Sequence, residues 1–156
     1  MSSIKDSNLA SKGAEEINWA TRQMQVLEEI SNEFAVSKPL NGLNIGACMH
    51  VTKETANLMM TLKTAGANIA LCASNPLSTN DSVAAFLAEN DIEVHAIRGV
   101  SNDEFFKHLN LVLDSNPDIT MDDGADLVTL LHTDRSEISV LGSMEETTTG
   151  VIRLKS

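Results

Sequence analysis

Four polar stretches hold most of the side chains able to move a proton or grip a ligand. Cys48-Met49-His50-Val51-Thr52-Lys53-Glu54-Thr55 carries one imidazole among hydroxyls and a carboxylate. Ser74-Asn75-Pro76-Leu77-Ser78-Thr79-Asn80-Asp81 is a run of hydroxyls and amides. Asp122-Asp123-Gly124-Ala125-Asp126 offers three carboxylates around a glycine, and Gly142-Ser143-Met144-Glu145-Glu146-Thr147-Thr148-Thr149-Gly150 has paired glutamates before three threonines. Each has a plain structural reading. Thr52 suits a helix N-cap, and Ser143 with Glu146 has capping-box spacing. Asp122-Asp123-Gly124 suits an ordinary turn, and the three threonines suit a solvated strand. What raises them above that reading is their joint placement, each directly after an apolar run of strand length. Carboxylates such as Glu54, Asp123 and Glu146 accept hydrogen bonds from sugar hydroxyls and repel phosphate. Lys53 is the one basic residue within these motifs. The set therefore points to a nucleoside or sugar rather than a nucleotide. There is no GxGxxG or GxxxxGK[ST] phosphate loop, and no HExxH or Cys/His cluster of zinc-binding spacing.

The elements that must position these groups follow from periodicity. Ala20, Met24, Leu27, Ile30 and Phe34 recur at helical spacing within a segment from Ala14 to Ala35, which Pro39 and Gly42 then stop. After this the chain alternates. Strands are expected at Leu43–Met49, Ala67–Ala73, Ile92–Ile97, Ile119–Met121 and Ile138–Leu141. Helices are expected at Glu54–Ala65, ended by Gly66, and at Asp81–Glu89, capped by Ser78, Thr79 or Asn80. Ser101 and Glu104 form a capping box opening a helix with Phe105, Leu109, Val112 and Leu113 on one face. A short helix is expected at Gly124–His132. Strands apolar on both faces, alternating with helices, predict an α/β fold: a doubly wound, mostly parallel sheet with helices on both faces, Rossmann-like or flavodoxin-like. Ligands of such sheets bind at the carboxyl ends of the strands, where the four polar stretches lie.

Composition bounds the rest. The 156 residues make one ordinary domain. Residues 1–12 read as a flexible N-terminus and 13–156 as the folded domain. The formal charge of −11 opposes phosphate backbones and anionic membranes, so neither nucleic acid nor membrane is an expected partner. Aromatics make up 3% of the chain, too few for a base-stacking surface. No apolar run approaches transmembrane length, and the N-terminus has no signal-peptide core. Cys48 and Cys72 sit in apolar stretches and read as buried free thiols, as in a reducing, cytoplasmic setting.

Taken in order, Ser37-Lys38-Pro39-Leu40, Gly42 and the blocks GACMHVTKET, SNPLSTND, DDGADLVTLLHT and GSMEETTTGVIRL closely resemble the N-terminal part of the S-adenosylhomocysteine hydrolases (adenosylhomocysteinases). The resemblance also takes in INWATRQMQVL and runs from about Gly13 to the end. It implies a reversible hydrolysis of S-adenosylhomocysteine to adenosine and homocysteine. In that chemistry a bound NAD⁺ oxidises the ribose 3′-hydroxyl, the ketone acidifies the C4′ proton, the 5′ thiol leaves, water adds and NADH reduces the ketone. By the same resemblance His50 handles the proton of the leaving thiol or attacking water, and Asp123 is its acid/base partner and a substrate contact. Thr52 and Glu54 hold the adenine and its surroundings, Glu146 binds ribose hydroxyls, and Thr147, Thr148 and Thr149 touch the NAD.

In the family resembled, a catalytic Lys and Asp, a GxGxxG domain and a C-terminal tail follow this block. The chain reaches Lys155-Ser156 soon after Gly150 and carries no dinucleotide fingerprint. It is therefore expected to be a fragment, inactive alone, with most of the NAD pocket elsewhere and a homo-oligomer as the complete enzyme. Two other readings stay open. One is a stand-alone, non-catalytic nucleoside-binding module. The other is a flavodoxin-like signalling domain using Asp122 and Asp123, weakened by His50 at the first strand end and the lack of a lysine after the last strand.

Overall fold

The computed structural model describes all residues, Met1–Ser156. Five strands form one all-parallel sheet: β1 (Asn44–Met49), β2 (Asn68–Ala73), β3 (Glu93–His95), β4 (Ile119–Asp122) and β5 (Gly142–Glu145), in the order β3-β2-β1-β4-β5. The helices are α1 (Ala10–Thr21), α2 (Gln25–Ser37), α3 (Lys53–Thr64), α4 (Asp81–Glu89), α5 (Asn102–Asp114), α6 (Asp126–His132) and α7 (Thr148–Leu154). This is the doubly wound, Rossmann-like α/β arrangement expected. No helix is long and apolar enough to cross a membrane.

The pleat sorts the core into two layers. Ile45, Ala47 and Met49 of β1 and Ile69, Leu71 and Ala73 of β2 face one way, with Ile17 of α1, Met59 of α3 and Val83 and Leu87 of α4. The alternate residues Cys48, Ala70 and Cys72 face Phe105, Leu109, Val112 and Leu113 of α5 and Leu127, Leu130 and Leu131 of α6. Strands buried on both faces explain why β1 and β2 read as unbroken apolar runs rather than alternating ones. Cys48 and Cys72 are cross-strand neighbours, buried and free. Cys48 Sγ donates to Ala73 O at 3.6 Å, and the neighbouring Cys72 thiol and burial push Cys48 well above its ordinary pKa, which disfavours the thiolate.

Helix starts are where the side chains put them. The hydroxyl of Thr52 accepts from the Thr55 amide, Asn80 Oδ1 from Ser82, Ser101 from Glu104 and Thr147 from Gly150. At Ser101 only the forward half of the box is made, since the Glu104 carboxylate turns to Lys107 instead. Gly66 follows α3 at a φ of 99°, and a Cβ there would lie 2.8 Å from Asn41 Cα, so both backbone freedom and close approach require glycine.

Four expectations are corrected. The helix read from Ala14 to Ala35 is two helices, broken at Arg22-Gln23-Met24 with Met24 at φ −115°, ψ 47°. α1 is anchored on α3 and α4 through Ala10, Gly13, Ile17 and Ala20, and Thr21 Oγ1 is tied to Asn57 at 2.7 Å. α2 has no buried residue and rides on α3. No Gly or Pro marks the break, so local signals are silent there. The last strand is Gly142–Glu145 rather than Ile138–Leu141. Ile138 and Val140 look like strand residues but tuck from a loop against the α5–α6 layer. Ser143 therefore lies within β5, accepting from Thr120 Oγ1 at 2.7 Å, and makes no capping box with Glu146. The threonines after it open a helix, not a strand. Met1–Ser3 run beside β3, where Ser3 bridges to His95 and the Met1 ammonium meets Glu93 at 2.8 Å, Ser7–Leu9 make a turn of 3₁₀ helix, and α1 begins at Ala10.

Candidate functional site

Strand order reverses between β1 and β4, so the crevice at their carboxyl ends is the natural ligand position of this sheet. His50 is the first residue after β1 and Asp123 the first after β4. They meet: His50 Nδ1 contacts Asp123 Oδ2. The imidazole is half exposed and the carboxylate nearly covered, at 53% and 12% side-chain exposure. Hence the pair is anchored on the protein side and open on the ligand side. Ser74, the first residue after β2, completes a ring of three. Its Oγ lies 2.8 Å from His50 Nδ1 and donates to Asp123 Oδ2 at 3.1 Å. Ser, His and Asp in contact invite a nucleophilic-triad reading. In a triad, however, the carboxylate and the serine hydroxyl occupy different ring nitrogens. Here both are on Nδ1, so no relay to Ser74 exists and Nε2 is left for a ligand.

The consecutive carboxylates divide their work. Strands β4 and β5 run side by side with Asp122 opposite Glu145. Asp122 turns inward, 2% exposed, and accepts from the amides of Leu127 (2.9 Å) and Val128 (3.0 Å) at the start of α6. Asp123 turns to His50. Glu145 turns back and accepts from the amides of Gly124 (3.0 Å), Ala125 (2.8 Å) and Thr147 (2.9 Å) and from the Thr147 hydroxyl (2.6 Å). Burial pushes Glu145 up, but these hydrogen bonds outweigh it and hold the carboxyl below its ordinary value. Glu146 is left exposed on the rim. Its carboxyl is raised by partial burial and then by the negative charge of Asp123, against the pull of His50. One carboxylate at each strand end thus closes a backbone turn, while its neighbour, Asp123 or Glu146, faces the crevice side.

Burial drives Asp122 up to about 6, against the lowering by its two backbone hydrogen bonds. A carboxyl that holds its proton better in the folded state than at its ordinary 3.8 stabilises the fold fully below that value, and the contribution is lost as pH rises through 6. At roughly 1.36 kcal/mol per pKa unit the loss is about 3 kcal/mol. His95 and His108, buried and lowered mainly by desolvation, act oppositely. The comparison that isolates Asp122 is with Asp122→Asn, which keeps both histidines. Urea unfolding is expected to find the wild type losing about 2.4 kcal/mol relative to the variant between pH 4 and pH 7.

Two adjoining cavities flank the histidine. One, of about 460 Å³, is lined by His50, Thr52, Ser78, Lys12 and Arg98 among others. The other, of about 520 Å³, is lined by Glu15, Glu16, Trp19, Thr52, Lys53 and Glu54 with Asn80. Thr52 and Asn80 line both. The sequence-predicted Glu54 is therefore one cavity away from His50, with Thr52 as the partition. Lys53 lies over the Trp19 ring at 4.1 Å and does not reach the rim. The bases that do, Lys12 and Arg98, come from distant segments with no motif to mark them.

The switch point does not fit a dinucleotide cradle. Its β1–α3 turn has His50 and Thr52 in place of glycines, and Glu54 stands in the first turn of α3, where a pyrophosphate would be repelled. What fits the edge of a cofactor held elsewhere is the pair Thr148 and Thr149, exposed at the start of α7. Thr147 differs from them in that its hydroxyl donates to Glu145 and accepts from the Gly150 amide.

A family model described as S-adenosyl-L-homocysteine hydrolase matches residues 1–141. The chain is 51% identical over 158 residues to the S-inosyl-L-homocysteine hydrolase of Methanococcus maripaludis, covering 100% of this chain and 38% of that protein. It is 52% identical over 156 residues to the adenosylhomocysteinase of Aquifex aeolicus and 48% over 155 residues to that of Pyrococcus abyssi, covering 98% of this chain and 37% of each relative. The chain thus spans less than two-fifths of the length of these relatives.

Proposed function

The chain belongs to the S-adenosyl-L-homocysteine hydrolase family, and from that premise we propose that residues 13–156 are the substrate-binding domain of an adenosylhomocysteinase, cleaving S-adenosylhomocysteine to adenosine and homocysteine. The observation that carries this reading is the His50–Asp123 pair at the switch point, open to a groove and beside a carboxylate-lined cavity. His50 is the catalytic residue for the proton of the 5′ thiol or of the water that replaces it, acting through Nε2. Asp123 holds the ring by Nδ1 and steadies its charged form. Glu146 accepts from ribose hydroxyls; its raised carboxyl, beside Asp123, suits a group that hydrogen-bonds rather than one that repels its neighbour. Thr52 and Glu54 hold the base.

Thr147, Thr148 and Thr149 are the residues that would touch NAD, and Thr147 also holds Glu145. NAD supplies hydride abstraction at the ribose 3′ carbon when bound. This chain's part is to orient the sugar, keep the proton carriers in place and exclude water. The free, buried Cys48 and Cys72 are in keeping with the cytoplasm. Exposed Leu141, Met144, Val151, Ile152 and Leu154 along the β5 edge support burial against further parts of a homo-oligomeric enzyme.

The relatives differ in the base they are named for. Glu15, Glu16 and Glu54 wall the base cavity with acceptors, which favours the 6-amino group of adenine over the 6-oxo group of hypoxanthine. Calorimetric titration is expected to find adenosine binding about tenfold or more tighter than inosine, a margin of one well-placed hydrogen bond, with Glu54→Gln narrowing it. Equal heats for both nucleosides would count against Glu54 as the reader of the base, and no heat with either would remove the substrate-domain reading.

A further inference from the structure

We propose that Ser74 is a positioning residue that fixes the tautomer and aim of His50. The proposal deepens the hydrolase reading and rests on it for its role in turnover, though the tautomer can be tested without any turnover. Ser74 follows β2 directly. Met49 pairs with Ala73, so His50 and Ser74 are the next positions along two parallel strands. The Ser74 amide donates to Met49 O at 3.2 Å and extends the ladder, which sets its place by backbone rather than by side chain. The side chain is buried, 9% exposed. Behind it the turn is closed by its own bonds: Asn75 N donates to Ser78 Oγ, Ser78 Oγ to Asn75 O, and Leu77 N to Asn75 Oδ1.

The hydroxyl has one hydrogen and three neighbours: Asp123 Oδ2 at 3.1 Å, His50 Nδ1 at 2.8 Å and Ser78 Oγ at 3.4 Å. The carboxylate is the strongest acceptor, so the hydrogen goes there. Oγ then turns a lone pair to Nδ1, and Asp123 Oδ2 turns another. Two acceptors converge on one ring nitrogen, and only a protonated Nδ1 satisfies both. In the neutral ring Nε2 is left as the lone-pair nitrogen, facing the groove, which is the form a proton acceptor at the 5′ position needs. His50 and Ser74 are the two hydrogen-bond partners of the Asp123 side chain. Without Ser74 the carboxylate is held only by the residue it is meant to hold.

The test uses two substitutions and two readouts. Long-range ¹H–¹⁵N spectra of the histidine-labelled 156-residue chain, at mildly alkaline pH, report which ring nitrogen is protonated. The wild type is expected to hold His50 as the Nδ1–H form, Ser74→Ala to give a mixture with the Nε2–H form, and Ser74→Cys, similar in shape but a weak donor, to lie between. In the full-length protein Ser74→Ala is expected to lower kcat about tenfold, the rate equivalent of one hydrogen bond to a charged group, with KM nearly unchanged and Ser74→Cys intermediate. Wild-type tautomer and kcat in Ser74→Ala overturn the proposal. So does equal impairment of both variants with the tautomer unmoved, which assigns Ser74 to packing alone. If the unsubstituted full-length protein does not hydrolyse S-adenosylhomocysteine, the hydrolase reading fails, while the spectra still decide the tautomer.

Discussion

His50→Gln in the full-length protein is expected to lower turnover of S-adenosylhomocysteine by about 10²–10⁴-fold, the span of a lost general acid–base group. The reason lies in what stands around the imidazole. Nδ1 is occupied by Asp123 and Ser74, so only Nε2 can exchange a proton with a ligand. The other ionisable groups on the same groove are Lys12, Arg98 and Asp81, and the Asp81 carboxylate is engaged by Lys5 and the Arg98 amide, so the groove holds no second imidazole. A glutamine amide would keep a polar group at this position without a titrating nitrogen. The loss should fall on kcat. The base cavity, with Glu54, Trp19 and Asn80, lies beyond Thr52 and does not include His50. Adenosine affinity should therefore stay within a few-fold, and retained binding excludes misfolding as the cause. Asp123→Asn should be nearly as damaging, because the amide in one orientation puts a donor against Nδ1–H. The double variant should be little worse than either single one, as for groups that act as a unit. Additive losses would mean that the two residues act separately.

The fold was legible because its signals are local. Apolar runs buried on both faces give parallel strands, and Thr52, Asn80 and Ser101 cap helices by their own chemistry. What failed had no local signal. Arg22-Gln23-Met24 breaks a helix because α1 packs on both α3 and α4 while α2 packs on α3 alone, a tertiary cause. Ile138 and Val140 carry strand propensity but are used as packing, while Gly142–Glu145, an exposed edge, makes the ladder. At the site, His50 and Asp123 were legible as strand-end residues and are in contact. Glu54 belongs to the adjoining cavity rather than to His50, which needs the path of α3 to see. Ser74 was within a noted motif yet unmarked. Aligning β1 with β2 by their last apolar residues, Met49 and Ala73, would have placed it beside His50.

The same limit governs the paired acids, and the largest structural effect is expected there. The resemblance assigns Glu146 to ribose and leaves Glu145 without a role. The inward one is Glu145, and it closes the β4–α6 turn onto the start of α7 by accepting from Gly124, Ala125 and Thr147. Gly150, buried, leaves room for it: a Cβ there would overlap the Glu145 carboxyl group. Glu145→Ala leaves these amide donors without their carboxylate. At about 1.5–3 kcal/mol for a hydrogen bond to a charged group, discounted because the site is partly wet and water can replace one bond, the cost is about 2–4 kcal/mol. For a domain of this size that is a fall of roughly 5–15 °C in Tm, read by calorimetry. Gly150→Ala should do much of the same damage by a different route, displacing the carboxylate rather than deleting it. The double variant should then cost little more than Glu145→Ala, because the added methyl has nothing left to displace. Glu146→Gln, one residue away, should leave Tm nearly unchanged and weaken ribose binding instead. Equal thermal losses from substitution of Glu145 and of Glu146 would remove the division of labour between the two glutamates. A harmless Gly150→Ala would show that Glu145 tolerates displacement, and with it that the turn does not depend on this carboxylate to hold Asp123 against His50.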